Sequence, residues 1–170
     1  MQFVPFCLFT KAADTTVTNT TINTTLLDAG RGGKGIPANY LKDGALLRIK
    51  VGGRYTNATA TTLQLYFQFL TQGNSLGVGF GTLVVGADLQ WDAEAVFQFT
   101  ALGASGAYSF NIKNDYEIAT NTMARTNLSL SAQLYDTTVA ETMDIKAQFN
   151  AASTGNAIFC SYASIELLNN

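Results

Sequence analysis

The chain has no histidine. Ser-His-Asp triads, Cys-His dyads and nearly all zinc sites are therefore not expected. Charge is scarce as well. Only 13% of the residues are Asp, Glu, Lys or Arg, about half the usual share. The net charge is −2 and the basic residues are scattered, so the basic face of a nucleic-acid-binding protein is not expected. No apolar run reaches about 18 residues, which argues against a transmembrane helix. There are two cysteines, Cys7 and Cys160, near opposite ends. Neither has a metal partner at short spacing. With no secretion signal to imply an oxidising compartment, both are expected as buried, reduced thiols, a bridge between first and last strands being the alternative. The opening MQFVPFCLFT lacks a basic region and a small-residue cleavage site, and it reads as a strand or arm rather than a signal peptide.

What is present is apolar and β-branched. The 170 residues are 47% hydrophobic, enough for the core of one domain. Little charge on such a chain suggests a subunit that hides surface against partners, since interface cores are depleted of charge. Residues 1–13 are expected to form an N-terminal strand or arm, and residues 14–170 the main domain. Phe3, Val4, Phe6, Leu8 and Phe9 in the arm are candidate partner-docking residues, because together they carry too much apolar surface to leave in water. Asp14 to Leu27, DTTVTNTTINTTLL, predicts a long edge strand from its β-branched content.

Strand periodicity dominates the rest. Leu47, Ile49 and Val51 alternate with Leu46, Arg48 and Lys50, and Gly52-Gly53 predicts a bulge or kink late in that strand. Leu63, Leu65, Phe67 and Phe69 alternate with Gln64, Tyr66 and Gln68. Trp91, Ala93, Ala95, Phe97 and Phe99 alternate with Asp92, Glu94 and Gln98. Tyr108, Phe110 and Ile112 start a strand that is expected to end near Asp115, with Tyr116 to Arg125 as a connection. Leu128, Leu130, Ala132 and Leu134 are expected on one inner face, and Met143, Ile145, Ala147 and Phe149 on the next. In the last strand Phe159, Ala163, Ile165 and Leu167 are expected to share a face. The pattern predicts an all-β, single-domain antiparallel β-sandwich, jelly-roll-like, with about eight to ten strands.

Motifs that could carry chemistry are weak. Asp92 and Glu94 sit two apart on one face and read as solvated charges rather than a paired-carboxylate site. Asp136, Glu141 and Asp144 lack calcium-loop spacing. The run Gly30-Arg31-Gly32-Gly33-Lys34-Gly35 resembles a phosphate cradle but leads into Ile36-Pro37 rather than a helix, so it reads as a turn in which Arg31 and Lys34 are candidate surface contacts. Tyr66, Tyr108, Tyr116 and Tyr135 could form a sugar-stacking platform, although aromatic ladders more often belong to a core or interface. Glycosylation patterns at Asn19, Asn23, Asn57 and Asn127 are expected by chance in so Thr- and Asn-rich a chain. No catalytic residue, metal site or cofactor is expected.

One stretch is more specific. In IPANYLKDGALLRIKVGGRY a Pro37-Ala38-Asn39 step leads to an alternating strand that ends in Gly and Tyr, after a Thr-rich strand closed by Leu26-Leu27. With the acidic-apolar alternation from Trp91 to Phe99, and the strand, small-residue turn and cysteine-bearing strand from Met143 to Cys160, it resembles a family of tailed-bacteriophage virion proteins. The resemblance is strongest at the corner and weak over Val78 to Gly86 and Tyr116 to Arg125; MQFVPFCLFT lies outside it. It implies a small jelly-roll-like structural protein, often a homotrimer. Such a protein would sit on the capsid surface as a decoration or cement subunit bound to the major capsid protein, after assembly in the host cytoplasm. The alternative is a fibre or tail-tip module that binds a host glycan. No enzyme, nucleic-acid partner or membrane is implied.

Overall fold

A computed structural model describes residues 6–28, 30–32, 34–59, 61–119 and 121–169. These residues form an all-β, antiparallel sandwich of two sheets and contain no helix. Five short strands come first: β1 (Phe6–Lys11), β2 (Thr15–Thr18), β3 (Thr24–Thr25), β4 (Gly30–Gly32) and β5 (Gly35–Ile36). Eight long ones follow: β6 (Leu46–Asn57), β7 (Thr62–Phe69), β8 (Asn74–Thr82), β9 (Gly86–Ala101), β10 (Ala107–Ala119), β11 (Thr122–Leu134), β12 (Glu141–Phe149) and β13 (Ala157–Asn169). The larger sheet has the order β11-β10-β9-β6-β13-β1-β4, with β2 also on β13. The smaller has the order β3-β12-β7-β8, with β5 also on β12.

The alternation read from the sequence sets the two inner faces. Leu47, Ile49 and Val51 of β6, and Trp91 through Phe99 of β9 at every second residue, are buried against Leu63 through Phe69 of β7 and Met143 through Phe149 of β12. Aromatic rings fill the space between. Phe69 lies 5.2 Å from Phe97 and 5.1 Å from Tyr135, and Tyr135 lies 5.1 Å from Phe99. At the other end Phe80 meets Tyr116 at 5.1 Å and Trp91 at 6.0 Å. Edge-to-face pairs of this kind add to the area they bury.

The Thr-rich run is not one long strand. It pairs with β13 as β2, breaks at Asn19, whose φ is 45°, and pairs with β12 in the other sheet as β3. Threonine hydroxyls make the break: Thr20 Oγ1 accepts from the Ile22 N–H at 3.0 Å and Thr25 Oγ1 from the Leu27 N–H at 3.1 Å. Such local bonds compete with a continuous ladder. Of the N-terminal segment, Phe6–Lys11 is an integral strand, with β1 held by β13 on one side and β4 on the other.

The expected irregularity at Gly52-Gly53 lies on the partner strand. β13 carries one extra residue between Cys160 and Tyr162, opposite the two glycines. A side chain at Gly53 would run into the Phe159 carbonyl, and one at Gly52 into the Tyr162 ring. The bulge shifts the pleat, so Ile158 and Cys160 point inward while Phe159 turns outward beneath Arg54, 5.3 Å from its guanidinium carbon. That corrects the expected inward placement of Phe159. Trp91 Nε1 donates to the Arg54 and Phe159 carbonyls at 3.2 and 3.1 Å, where the bulge disturbs the ladder.

β10 runs on past Asp115 and turns directly into β11, so Tyr116 to Arg125 is a hairpin rather than a connection. Asn114 occupies an inner-face position, fully buried, which broke the apolar alternation. Replacing Gly53 with Ala is expected to destabilise the protein by about 1–3 kcal/mol, the usual cost of forcing an atom into a packed site. Urea denaturation followed by tryptophan fluorescence checks this; an unchanged midpoint would mean that β13 moves aside freely.

Candidate functional site

The N-terminal strand and the Pro37 corner, distant in sequence, meet at an apolar groove. Its walls are Phe6, Cys7 and Leu8 of β1, Gly32, Gly35, Pro37 and Tyr40, around about 470 Å³. Gly30 and Gly32 let β4 lie on β1: a side chain at Gly30 would enter the Phe9 ring, and one at Gly32 would meet the Leu8 carbonyl. Phe6 is 58% exposed and Tyr40 38%. Leu8 is half-buried against the core. Phe9 is only 3% exposed, so it is a core residue and is not free to dock on a partner. Phe3 and Val4 lie outside the described residues.

Arg31 is exposed on β4. Lys34 Nζ lies 4.0 Å from the Asp144 carboxylate, which also accepts from Thr25 Oγ1 at 2.6 Å and from the Ile145 N–H at 2.9 Å. Asp144 is buried beneath Thr25 of β3.

The other carboxylates also have structural tasks. Glu141 is 2% exposed and accepts from the backbone N–H groups of Thr71, Gln72 and Thr142, at 2.7, 3.2 and 2.8 Å. Asp92 accepts a hydrogen bond from the Tyr162 hydroxyl, and Glu94 lies 4.0 Å from Lys50. Among the described residues no cluster of three or more His, Cys, Asp or Glu is placed to hold a metal ion. Of the four tyrosines considered for sugar stacking, Tyr108, Tyr116 and Tyr135 are 0%, 5% and 2% exposed, and burial raises the pKa of each. They build the core, and only Tyr66 lies on the outer face.

The exposure of β11 was not foreseen from the sequence. Leu130 is 51% exposed, Leu134 76% and Met123 55%. The expected inner face over Leu128 to Leu134 is mostly uncovered because the smaller sheet ends at β8. A β-bulge with Ala132 at φ 55° also breaks the alternation before Leu134. A signal was present in the small and polar residues between the leucines of TNLSLSAQL, which leave both faces lightly apolar.

Cys7 is exposed and Cys160 fully buried, and both are free. Cys7 pairs with Glu166 on β13, six positions from Cys160, about 20 Å along a strand. That is far beyond disulfide reach. Burial pushes the Cys160 thiol up to about 12, so it stays protonated and unreactive at neutral pH. A thiol reagent such as Ellman's is therefore expected to label one cysteine in the native protein and two after denaturation. Labelling of both at equal rates in native buffer would contradict the buried position of Cys160.

Glu166 is held below the usual carboxylate range, first by the hydrogen bonds that Arg48 donates to it (Nε at 3.2 Å) and then by a bond from Ser164 at 2.9 Å. A carboxylate lowered on folding stabilises the protein above its unfolded pKa, and the gain is lost as pH falls through the folded value. Replacing Glu166 with Gln is expected to cost no more than about 1 kcal/mol at pH 7 and to flatten the loss of stability below about pH 4.5. Melting temperatures from pH 3 to 7 check this; parallel curves for both proteins would rule it out.

Compared with known proteins, the chain matches no family model and no curated protein.

Proposed function

We propose that this chain is a non-enzymatic structural subunit of a tailed-phage virion. It is a jelly-roll decoration or cement protein, trimeric on the head surface, that clamps neighbouring major capsid proteins. The observation that carries the reading is the strand order. β1 and β2 lie along the same side of β13, and β3 and β5 along the same side of β12. Taken as two interrupted strands, they reduce the sheets to β1/β2-β13-β6-β9 and β3/β5-β12-β7-β8. That order supports the jelly-roll reading, two Greek keys over eight strands, a plan found in viral capsid and lectin domains. The β10–β11 hairpin is then an addition at the β9 edge.

Two further features support the reading. The groove beside Phe6 and Tyr40 offers apolar surface next to a sheet edge, as a clamp on a neighbour requires. Glu141 and Asp144, weighed in the sequence as calcium ligands, accept from backbone N–H groups. The fibre or tail-tip reading loses its main support, since three of its four stacking tyrosines are core residues.

Purified particles decide between the positions. Quantitative mass spectrometry is expected to find the protein in proportion to the major capsid protein, with cryo-EM density on the outer head surface. Density confined to the tail, with only a few copies per particle, would replace the capsid assignment, and absence from the particle would end it.

A further inference from the structure

We infer that β11 is a self-association strand. It pairs antiparallel, across a two-fold axis, with β11 of a second copy of this chain and so joins the two larger sheets into one.

β11 is thirteen residues long, lies at the end of the larger sheet and has β10 as its one paired strand. Proteins protect such edges with lysine, proline, bulges or shortness. From Thr122 to Leu130 β11 has no lysine and no proline, and its bulge comes only afterwards, at Ser131 and Ala132. Eight residues in unbroken register, Met123 to Leu130, are left, and these two end residues are more than half exposed, one on each face. The strand is also held in place. Thr126 Oγ1 donates to the Gly79 carbonyl of β8 at 2.6 Å, and Ala124 and Leu128 pack on the core. A side chain makes that anchor, so the outer backbone edge is left ready for a partner.

The occupant follows from the other edges. The far edge of the larger sheet is β4, with three residues, and the smaller sheet presents β3 and β5, with two each. β8, at the edge of the smaller sheet, is shorter at nine residues, and its Gly79 carbonyl accepts from Thr126 of β11. Among the described residues, only β11 of a second copy offers an edge as long as β11 itself. An isologous contact places each strand against its own sequence, so like charges would oppose one another. β11 carries a single charge, Arg125, and Asp115 of β10 neutralises it through two hydrogen bonds, at 2.6 and 2.9 Å. Self-pairing therefore brings no uncompensated charges together. The inference rests on this edge alone and is independent of the virion assignment. A trimer would use a different surface.

Native mass spectrometry and sedimentation velocity of the full chain at micromolar concentration are expected to give an even multiple of the protomer mass. Asn127 and Ser129 are exposed on β11. The double variant Asn127→Lys/Ser129→Lys should halve that mass and keep the native circular dichroism. Mixing it with Asn127→Asp/Ser129→Asp should restore the native mass as a mixed pair. Hydrogen exchange on the unaltered protein gives a readout that needs no variant to fold: amides of Thr122–Leu130 should exchange more slowly in concentrated than in dilute samples. A monomer or trimer mass for the native chain, a folded Lys variant of native mass, or concentration-independent exchange of these amides would each overturn the inference.

Discussion

The ladder through β9, β6 and β13 is the constraint on which the other elements depend. These three strands put the longest inner faces side by side, and each backbone polar group between them has to find a partner once buried. The ladder is irregular near its ends, at Leu167–Asn169 and Tyr55–Asn57, and it breaks in its middle where β13 bulges opposite Gly52 and Gly53. There the Trp91 indole reaches two carbonyls from within the core. Tryptophan is large enough to fill the space that the bulge opens, and it also carries the donor the site lacks. A phenylalanine would fill most of the volume and leave the carbonyls without that donor.

Closure of the sandwich is built differently on its two sides. On one, the chain between β3 and β5 leaves the smaller sheet, adds β4 to the larger one and returns. A single segment thereby belongs to both layers and shapes the groove beside Phe6. On the other, the β10–β11 hairpin extends the larger sheet past β8 and is tied down by Thr126. The first side is covalently continuous and glycine-rich; the second leaves a long backbone edge beside solvent.

How much of this was legible in the sequence depended on burial. Where both sheets cover a strand, period-two alternation gave the inner face residue by residue, as for Leu63 to Phe69 and Trp91 to Phe99. Where local polar bonds compete with the ladder, the reading failed. The threonines of residues 14–27 favour extended backbone, but their hydroxyls also bond to nearby amides, and composition does not say which prevails. Asn114 hid the continuation of β10 because a buried amide resembles a strand end. The phase error at Phe159 came from a bulge on β13 whose cause, a glycine pair, lies on another strand. Of the candidate site, the apolar character of Phe6 and Leu8 was visible in advance. The burial of Phe9 was not, because it depends on Gly30, twenty-one residues away.

The pairing of β1 with β13 has a consequence for the time course of folding. Residues 6–11 find their main partner only in residues 164–167, so the larger sheet cannot close on that side until β13 has emerged from the ribosome. During synthesis Phe9 waits without its core, and the threonine-rich segment that follows has too few large apolar residues to collapse alone. Pairings this distant along the chain are slow to form, because the loop entropy is lost before any contact rewards it. The β9–β10–β11 meander, made of neighbours in sequence, needs no such wait, so it can take shape first and leave the N-terminal strand to enter last.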